Sequence, residues 1–171
     1  MVSEVVFEEA NHLSPQEQAM LKLRLIGHCF ESFNIADTGA TVLTAFQNAG
    51  YFRALVSDPI VRVRAASRSP KPVALAFDVV EGDQYKVREI EWRGVKAFTA
   101  EQIKDITPIR VGDIFNKSKV DEFVEAARNL YRATGYLNAS IKPEIKCLNS
   151  RAVQLLFFID EGPLSPNVIS Q

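Results

Sequence analysis

The feature that most constrains this chain is that its sequence is written twice. Shifted by 85 positions, residues 4–56 overlay 89–141 without a gap. Glu4 falls on Glu89, Phe7 on Trp92, Leu13 on Phe98 and Ser14 on Thr99. Gly27 meets Gly112, Phe30 meets Phe115, Phe46 meets Tyr131, Gly50-Tyr51 meets Gly135-Tyr136, and Ala54 meets Ala139. After a five-residue deletion the shift becomes 80, and Val73, Leu75, Phe77, Val79 and Glu81-Gly82 match Val153, Leu155, Phe157, Ile159 and Glu161-Gly162. Self-similarity over such a period is the mark of a repeated supersecondary module, and about 85 residues can bury a modest core of their own. The expected division is one repeat over 1–84, a second over 85–163, and a tail or the start of a further module over 164–171.

Each copy reads as β-α-α-β-β. It opens on a short alternating strand, Val5 and Phe7 in the first copy and Ile90 and Trp92 in the second. A helix start follows. Ser14-Pro15-Gln16-Glu17 carries a capping serine, a proline at the first helical position and a glutamate three residues past the cap; Thr99-Ala100-Glu101-Gln102 repeats that box. The first helix is expected to end before Gly27 in one copy and near Pro108 in the other. In copy two Ser118 and Asp121 suggest the start of a second helix, whose apolar face is Val120, Val124, Ala127 and Tyr131. Ile35, Val42 and Phe46 hold that face in copy one, and Gly50 and Gly135 supply the left-handed residue that closes it.

Two strands complete each copy. Ala139, Ile141, Ile145 and Cys147 alternate with Ser140, Lys142, Glu144 and Lys146, so one face is buried and one wet. In copy one Ala54 and Val56 begin in phase, yet Val61, Val63 and Ala65 are the inward set afterwards; the slip calls for a bulge near Ser57-Asp58-Pro59. The closing strands, Val73–Val80 and Val153–Asp160, are more apolar and lack proline, whereas the penultimate strands carry Pro59 and Pro143. Proline donates no ladder hydrogen bond and belongs on edges or in bulges. The predicted fold is therefore α+β: two tandem repeats, each a three-stranded mixed sheet of order 1-3-2 with two helices on one face and the penultimate strand at the edge.

That edge has two readings. Its charges and prolines blunt it against aggregation, or it accepts an extended peptide as a fourth strand. The residues that would carry the second reading are Val61, Arg62, Val63 and Arg64 in copy one, and Ser140, Ile141, Lys142, Glu144 and Lys146 in copy two. Leu156 and Phe158 face away from the inward set Leu155, Phe157 and Ile159, so they meet helices, a neighbouring domain or a partner.

Composition narrows the rest. Of 171 residues, 47% are hydrophobic and 24% charged, as in ordinary globular proteins, and no stretch reaches the roughly 18 apolar residues of a membrane span. Lys and Arg number 20 against 21 Asp and Glu. Split after Gln84, the halves carry −3 and +2, neither of them the balance of a nucleic-acid binder. A KH module shares part of this element order, but its backbone-clamping GXXG loop is missing from Arg24–Phe30 and from Arg110–Phe115. Nucleic acid is not an expected partner. His12 and His28 lie at no metal-ligand spacing with the cysteines. Cys29 stands beside His28, but adjacent side chains point apart and copy two has Asp113-Ile114 there. Cys29 and Cys147 form either a disulfide or two buried free thiols. No catalytic residue, metal ligand or cofactor site is expected, so the chain reads as a binding scaffold and not an enzyme. Met1-Val2-Ser3-Glu4-Val5 has no leader character, which literally implies cytoplasm and implies nothing for a piece of a longer secreted protein.

Taken together, the Gly-Asp-x-Phe turn (Gly112–Phe115), the Tyr-x-x-x-Gly-Tyr-Leu helix exit (Tyr131–Leu137) and the strand closing in Glu-Gly-Pro (Glu161–Pro163) resemble POTRA domains, the polypeptide-transport-associated repeats of Omp85 outer-membrane assembly proteins. The resemblance covers nearly all of residues 3–163 and is looser in copy one, where Gly27-His28-Cys29-Phe30 lacks the aspartate and the helix exit runs from Phe46 to Phe52. It implies a periplasmic part of an outer-membrane protein, separated here from its leader and barrel. The implied partners are unfolded outer-membrane proteins or exported polypeptides, taken partly by strand addition, together with accessory assembly proteins and the parent's own C-terminal β-barrel. The alternative within the family is a two-partner secretion transporter that recognises one exoprotein. No cofactor and no active site are implied.

Overall fold

The computed structural model describes residues 1–8, 12–27, 35–63, 71–149 and 151–165. It divides into two compact units, Met1–Asp83 and Gln84–Gln171. Cys29, Arg64 and Ala65 lie outside the described residues.

In the first unit, strand β1 (Val2–Glu8) is followed by helices α1 (Pro15–Leu25) and α2 (Ile35–Asn48), then by β2 (Leu55–Val56), β3 (Ile60–Val63) and β4 (Val73–Val80). The second unit repeats the plan with β5 (Lys86–Arg93), α3 (Ala100–Asp105), α4 (Lys117–Ala133), β6 (Ser140–Asn149) and β7 (Ala152–Asp160). The closing strand is central in both. β4 pairs in parallel with β1 and antiparallel with β2 and β3, and β7 pairs in parallel with β5 and antiparallel with β6. The mixed 1-3-2 order expected from the proline placement is the order found.

Local chemistry fixes the helix ends. Both capping boxes form: the Ser14 hydroxyl accepts from Glu17 N while Glu17 reaches back, and Thr99 and Gln102 do the same. Each box satisfies amide donors that the helix cannot pair internally. The start of α4 differs from the expectation. Its cap is Asn116, whose side chain accepts from Lys119 N at 3.0 Å, so Ser118 already lies inside the helix. Asp121 instead pairs with Lys117 one turn back. Pro108 shortens α3 to six residues against eleven in α1; proline has no amide for the helical ladder and disfavours helix in the residue before it.

The core of each unit lies between sheet and helices. Val42, Phe46, Leu75 and Phe77 are shut off from solvent in the first unit, as are Phe115, Phe123, Tyr131, Leu155 and Phe157 in the second. Phe123 of α4 meets Phe157 of β7 edge-on, with 4.4 Å between centroids.

The anticipated slip in copy one is present. Val56 is opposite Val79 but Ile60 is opposite Ala76, so four steps on one strand answer three on the other. The Ser57 hydroxyl and amide tie the break to the Asp78 backbone. Beyond it Val61 is half-buried against the core, as the pattern required. Val63 is not: it is 64% exposed, because it pairs with Val73 at the very start of β4, where the sheet runs out.

The Gly-Asp-x-Phe turn has a defined task in the second unit. Gly112 N donates to Val87 O, Val87 N to Asp113 O, and Phe115 N to Tyr85 O, at 2.8–2.9 Å. The turn thus covers the first residues of the β5 edge. Gly112 needs its φ of +96° to do so. In copy one Gly27 N donates to Val2 O at 2.9 Å, the same bond 85 residues earlier.

Candidate polypeptide-binding edge

Strand β6 runs ten residues and pairs only with β7 among the described residues. Its other side presents unpaired backbone. Ile141 is buried and Ile145 and Cys147 are half-buried towards the helices, while Lys142, Glu144 and Lys146 are exposed on the opposite face. Cys147 is a free thiol. Ser140 begins the strand opposite Asp160, and Pro143 sits opposite Phe157 within it. The matching edge in copy one is broken by the bulge into pieces of two and four residues. It offers Val61, exposed Arg62 and exposed Val63. The longer edge in one register, Ser140–Cys147, therefore belongs to the second unit, with a one-residue slip at Leu148.

Leu156 and Phe158 lie on the sheet face away from the helices, since Leu155, Phe157 and Ile159 occupy the other. The register stacks them in rows with charged neighbours: Glu91–Leu156–Glu144, then Arg93–Phe158–Lys142. Leu156 is 1% exposed. Phe158 is 38% exposed, with the Arg93 guanidinium 5.8 Å from its ring. Arg93 is held by two hydrogen bonds to Glu91, of 2.7 and 3.2 Å. The same contact keeps the Glu91 carboxyl below its ordinary range. Beside this row a cleft of about 320 Å³ opens between Arg93, Ser140, Lys142, Phe158 and Asp160.

Residues 85–162 match the family model for POTRA, described as a surface antigen variable number repeat. The chain folds as tandem POTRA domains, and its second unit belongs to the POTRA family. Among solved structures, BamA POTRA3-5 of Haemophilus influenzae is similar at 16% identity, with a TM-score of 0.72. The match covers 95% of this chain and 66% of that one. BamA of Haemophilus ducreyi lacking POTRA domains 1-3 is similar at 15% identity and a TM-score of 0.67, over 94% of this chain and 29% of that one. This chain therefore spans less than two thirds of either.

One carboxylate of each POTRA unit organises the ground around the first helix, and the sequence alone assigns it no role. In the second unit Glu161 Oε1 accepts from Lys96 N at 2.7 Å, Ala97 N at 2.8 Å and the Tyr131 hydroxyl at 2.9 Å. Burial opposes its charge, but those three donors prevail and hold its pKa below the ordinary value. Burial, and then the bond to Glu161, push the Tyr131 phenol well above its usual range. In the first unit Glu81 takes the same place and accepts from His12 N at 3.0 Å. Phe46 replaces the tyrosine there, and the His12 ring bonds to the second Glu81 oxygen instead. The signal available in the sequence is the pairing of two changes, Phe46 for Tyr131 and His12 for Ala97, around an unchanged Glu-Gly.

Proposed function

We propose that this POTRA tandem is a periplasmic, non-enzymatic scaffold of an Omp85-type outer-membrane assembly or translocation protein. It receives unfolded outer-membrane polypeptides by strand addition, chiefly on β6, and docks accessory assembly proteins beside the parent's β-barrel. The observation that carries this reading is the ten-residue β6 edge, paired on one side only. Ser140, Lys142, Glu144 and Lys146, with the backbone of Ile141, would meet the incoming strand; Val61–Val63 of the first unit offer a shorter equivalent.

The energetics suit a carrier. About five added backbone bonds contribute roughly 3–7 kcal/mol at about 0.5–1.5 each. Association costs of about 4–15 kcal/mol offset most of that. Binding by backbone alone is therefore weak and tolerant of sequence, and Phe158 between Arg93 and Lys142 adds a modest apolar anchor.

Titrating isotope-labelled protein with unfolded barrel-strand peptides tests the reading. Amides of 140–149 should shift, and Lys146→Pro should abolish those shifts while leaving the fold intact. Shifts confined to α3 and α4 would reject strand addition.

A further inference from the structure

Helix α1 of the first unit is apolar on two sides. Leu21 and Leu25 are buried in the core, while Met20 and Leu23 on the opposite side are 62% and 75% exposed. A surface helix ordinarily buries one stripe and presents polar groups on the other. Helix α4 follows that rule, exposing Asp121, Glu122 and Glu125. An apolar outer face of the α1 kind marks a contact surface.

Beside it a groove of about 500 Å³ runs between the two helices. Glu17, Met20 and Arg24 of α1 form one wall, and Ala40, Thr44 and Ala45 of α2 lie in the other. The Thr44 hydroxyl donates to Ala40 O at 2.8 Å, so its proton is already used. The second unit does not repeat this surface. Shifted by 85, Asp105 stands for Met20, Pro108 for Leu23, Ile109 for Arg24, and Glu125 and Leu130 for Ala40 and Ala45. The fold as such does not require it.

The charges of the groove indicate what covers it. Glu17 and Arg24 are seven residues apart, which is two turns and about 10 Å along one helix face, with Met20 midway between them. Both are exposed, and neither forms an ion pair among the described residues. The capping box occupies only Oε2 of Glu17. Of the other charges nearby, Lys22 sits over the Phe7 ring on the far flank of α1, and Asp37 in the first turn of α2 is not among the groove's lining residues.

A two-fold axis crossing α1 near Met20 reverses the helix. Glu17 of each copy then meets Arg24 of the other, and each Met20 enters the other copy's groove. A projecting side chain, a recess and two opposite charges set about one point satisfy the self-complementarity of an isologous contact. An anionic lipid surface fits less well, because residues 1–84 carry −3.

We propose that the outer face of α1 and the α1–α2 groove form a self-association surface, which takes a second copy of this chain in an antiparallel α1–α1 contact. The inference goes beyond the scaffold reading and does not rest on it, since β6 belongs to the other unit. One eleven-residue helix and its groove offer less than the roughly 1,200 Å² of a stable interface. The dimer is therefore weak, with a Kd on the order of 0.1 mM.

Sedimentation of the full chain between about 10 μM and about 1 mM should show a reversible dimer. Met20→Asp, which copies the residue type of the second unit, should abolish it while the circular dichroism spectrum is unchanged. Arg24→Glu and Glu17→Lys should each weaken it at least about tenfold. Their equimolar mixture should recover the parental affinity, because each variant supplies the charges that the other now needs. A chain that stays monomeric throughout overturns the proposal, as does a dimer untouched by Met20→Asp or a mixture no tighter than its single variants. A monomeric chain that binds phosphatidylglycerol vesicles through Met20 would give the face to a membrane and overturn it equally. None of these variants touches β6, so peptide-induced shifts there report the scaffold reading separately.

Discussion

Replacing Glu161 by alanine should destabilise the second unit far more than an exposed carboxylate would suggest. Glu161 Oε1 serves three donors, the amides of Lys96 and Ala97 and the Tyr131 hydroxyl. Lys96 and Ala97 are exposed, so their amides recover water, and each broken bond costs about 0.5–1.5 kcal/mol. Tyr131 is 0% exposed; its orphaned hydroxyl costs about 1–3 kcal/mol. The sum is about 2–6 kcal/mol, a large share of what a domain of this size has at about 0.05–0.15 kcal/mol per residue. Trp92 lies in the second unit, so urea unfolding followed by its emission reads that unit alone. With a slope of about 1–2 kcal/mol per molar, the midpoint should fall by at least about 1 M. Tyr131→Phe alone should cost about 1 kcal/mol, and in that background Glu161→Ala should cost about 1–2 kcal/mol less than in the parent. A loss below about 1 kcal/mol for Glu161→Ala, or strict additivity in the cycle, would refute this account.

Three further outcomes rest on the same unit. Because Glu161 has a folded pKa below its unfolded value near 4.5, the folded unit binds fewer protons there; its extra stability is complete above that value and is lost as pH falls through the depressed one. Glu161→Gln should therefore flatten the acid limb of stability against pH, and an unchanged limb would contradict the assignment. Gly94→Ala should destabilise by at least about 3 kcal/mol, since its φ is +88° and an added Cβ would lie 2.1 Å from Ile159 O, whereas Gly112→Ala, at φ +96° with open space around it, should cost only about 1 kcal/mol; equal losses in thermal melts would show that crowding at Gly94 is not the cause. Asn116→Ala should cost about 1 kcal/mol through loss of the α4 cap, whereas Ser118→Ala, inside the helix, should be near neutral; the reverse order by the same melts would move the helix start back to Ser118.

Much of the fold is legible in the sequence because its determinants are local. Caps, left-handed glycines and alternation act within a few residues, so Ser14, Thr99, Gly50 and Gly135 can be read directly. The bulge is legible because burial phase must flip when one strand gains a residue. What escapes is long-range. Glu81 and Glu161 bond to backbone amides 64–69 positions away, and backbone donors leave no side-chain signature. Asn116 is hard to single out because Ser118 and Asp121 after it fit a cap equally well by type. Pro108 reads as a helix stop, and α3 ends short of it at six residues against eleven in α1.

The divergence of the two copies follows a single direction. Around the shared carboxylate, buried as Glu81 and half-buried as Glu161, the change is neutral in kind, since the His12 ring serves one where the Tyr131 hydroxyl serves the other. At the sheet edges it is not neutral. In copy one a bulge cuts the penultimate edge into short pieces. In copy two β6 keeps one register from Ser140 to Cys147 and slips only near its end, at Leu148. A continuous edge permits successive backbone bonds to an added strand, whereas a bulge interrupts them and twists the strand away. Moving such a break to the middle of β6, by inserting one residue after Pro143, should therefore abolish peptide-induced shifts on β6. If the shifts persist with the fold intact, strand addition along β6 fails.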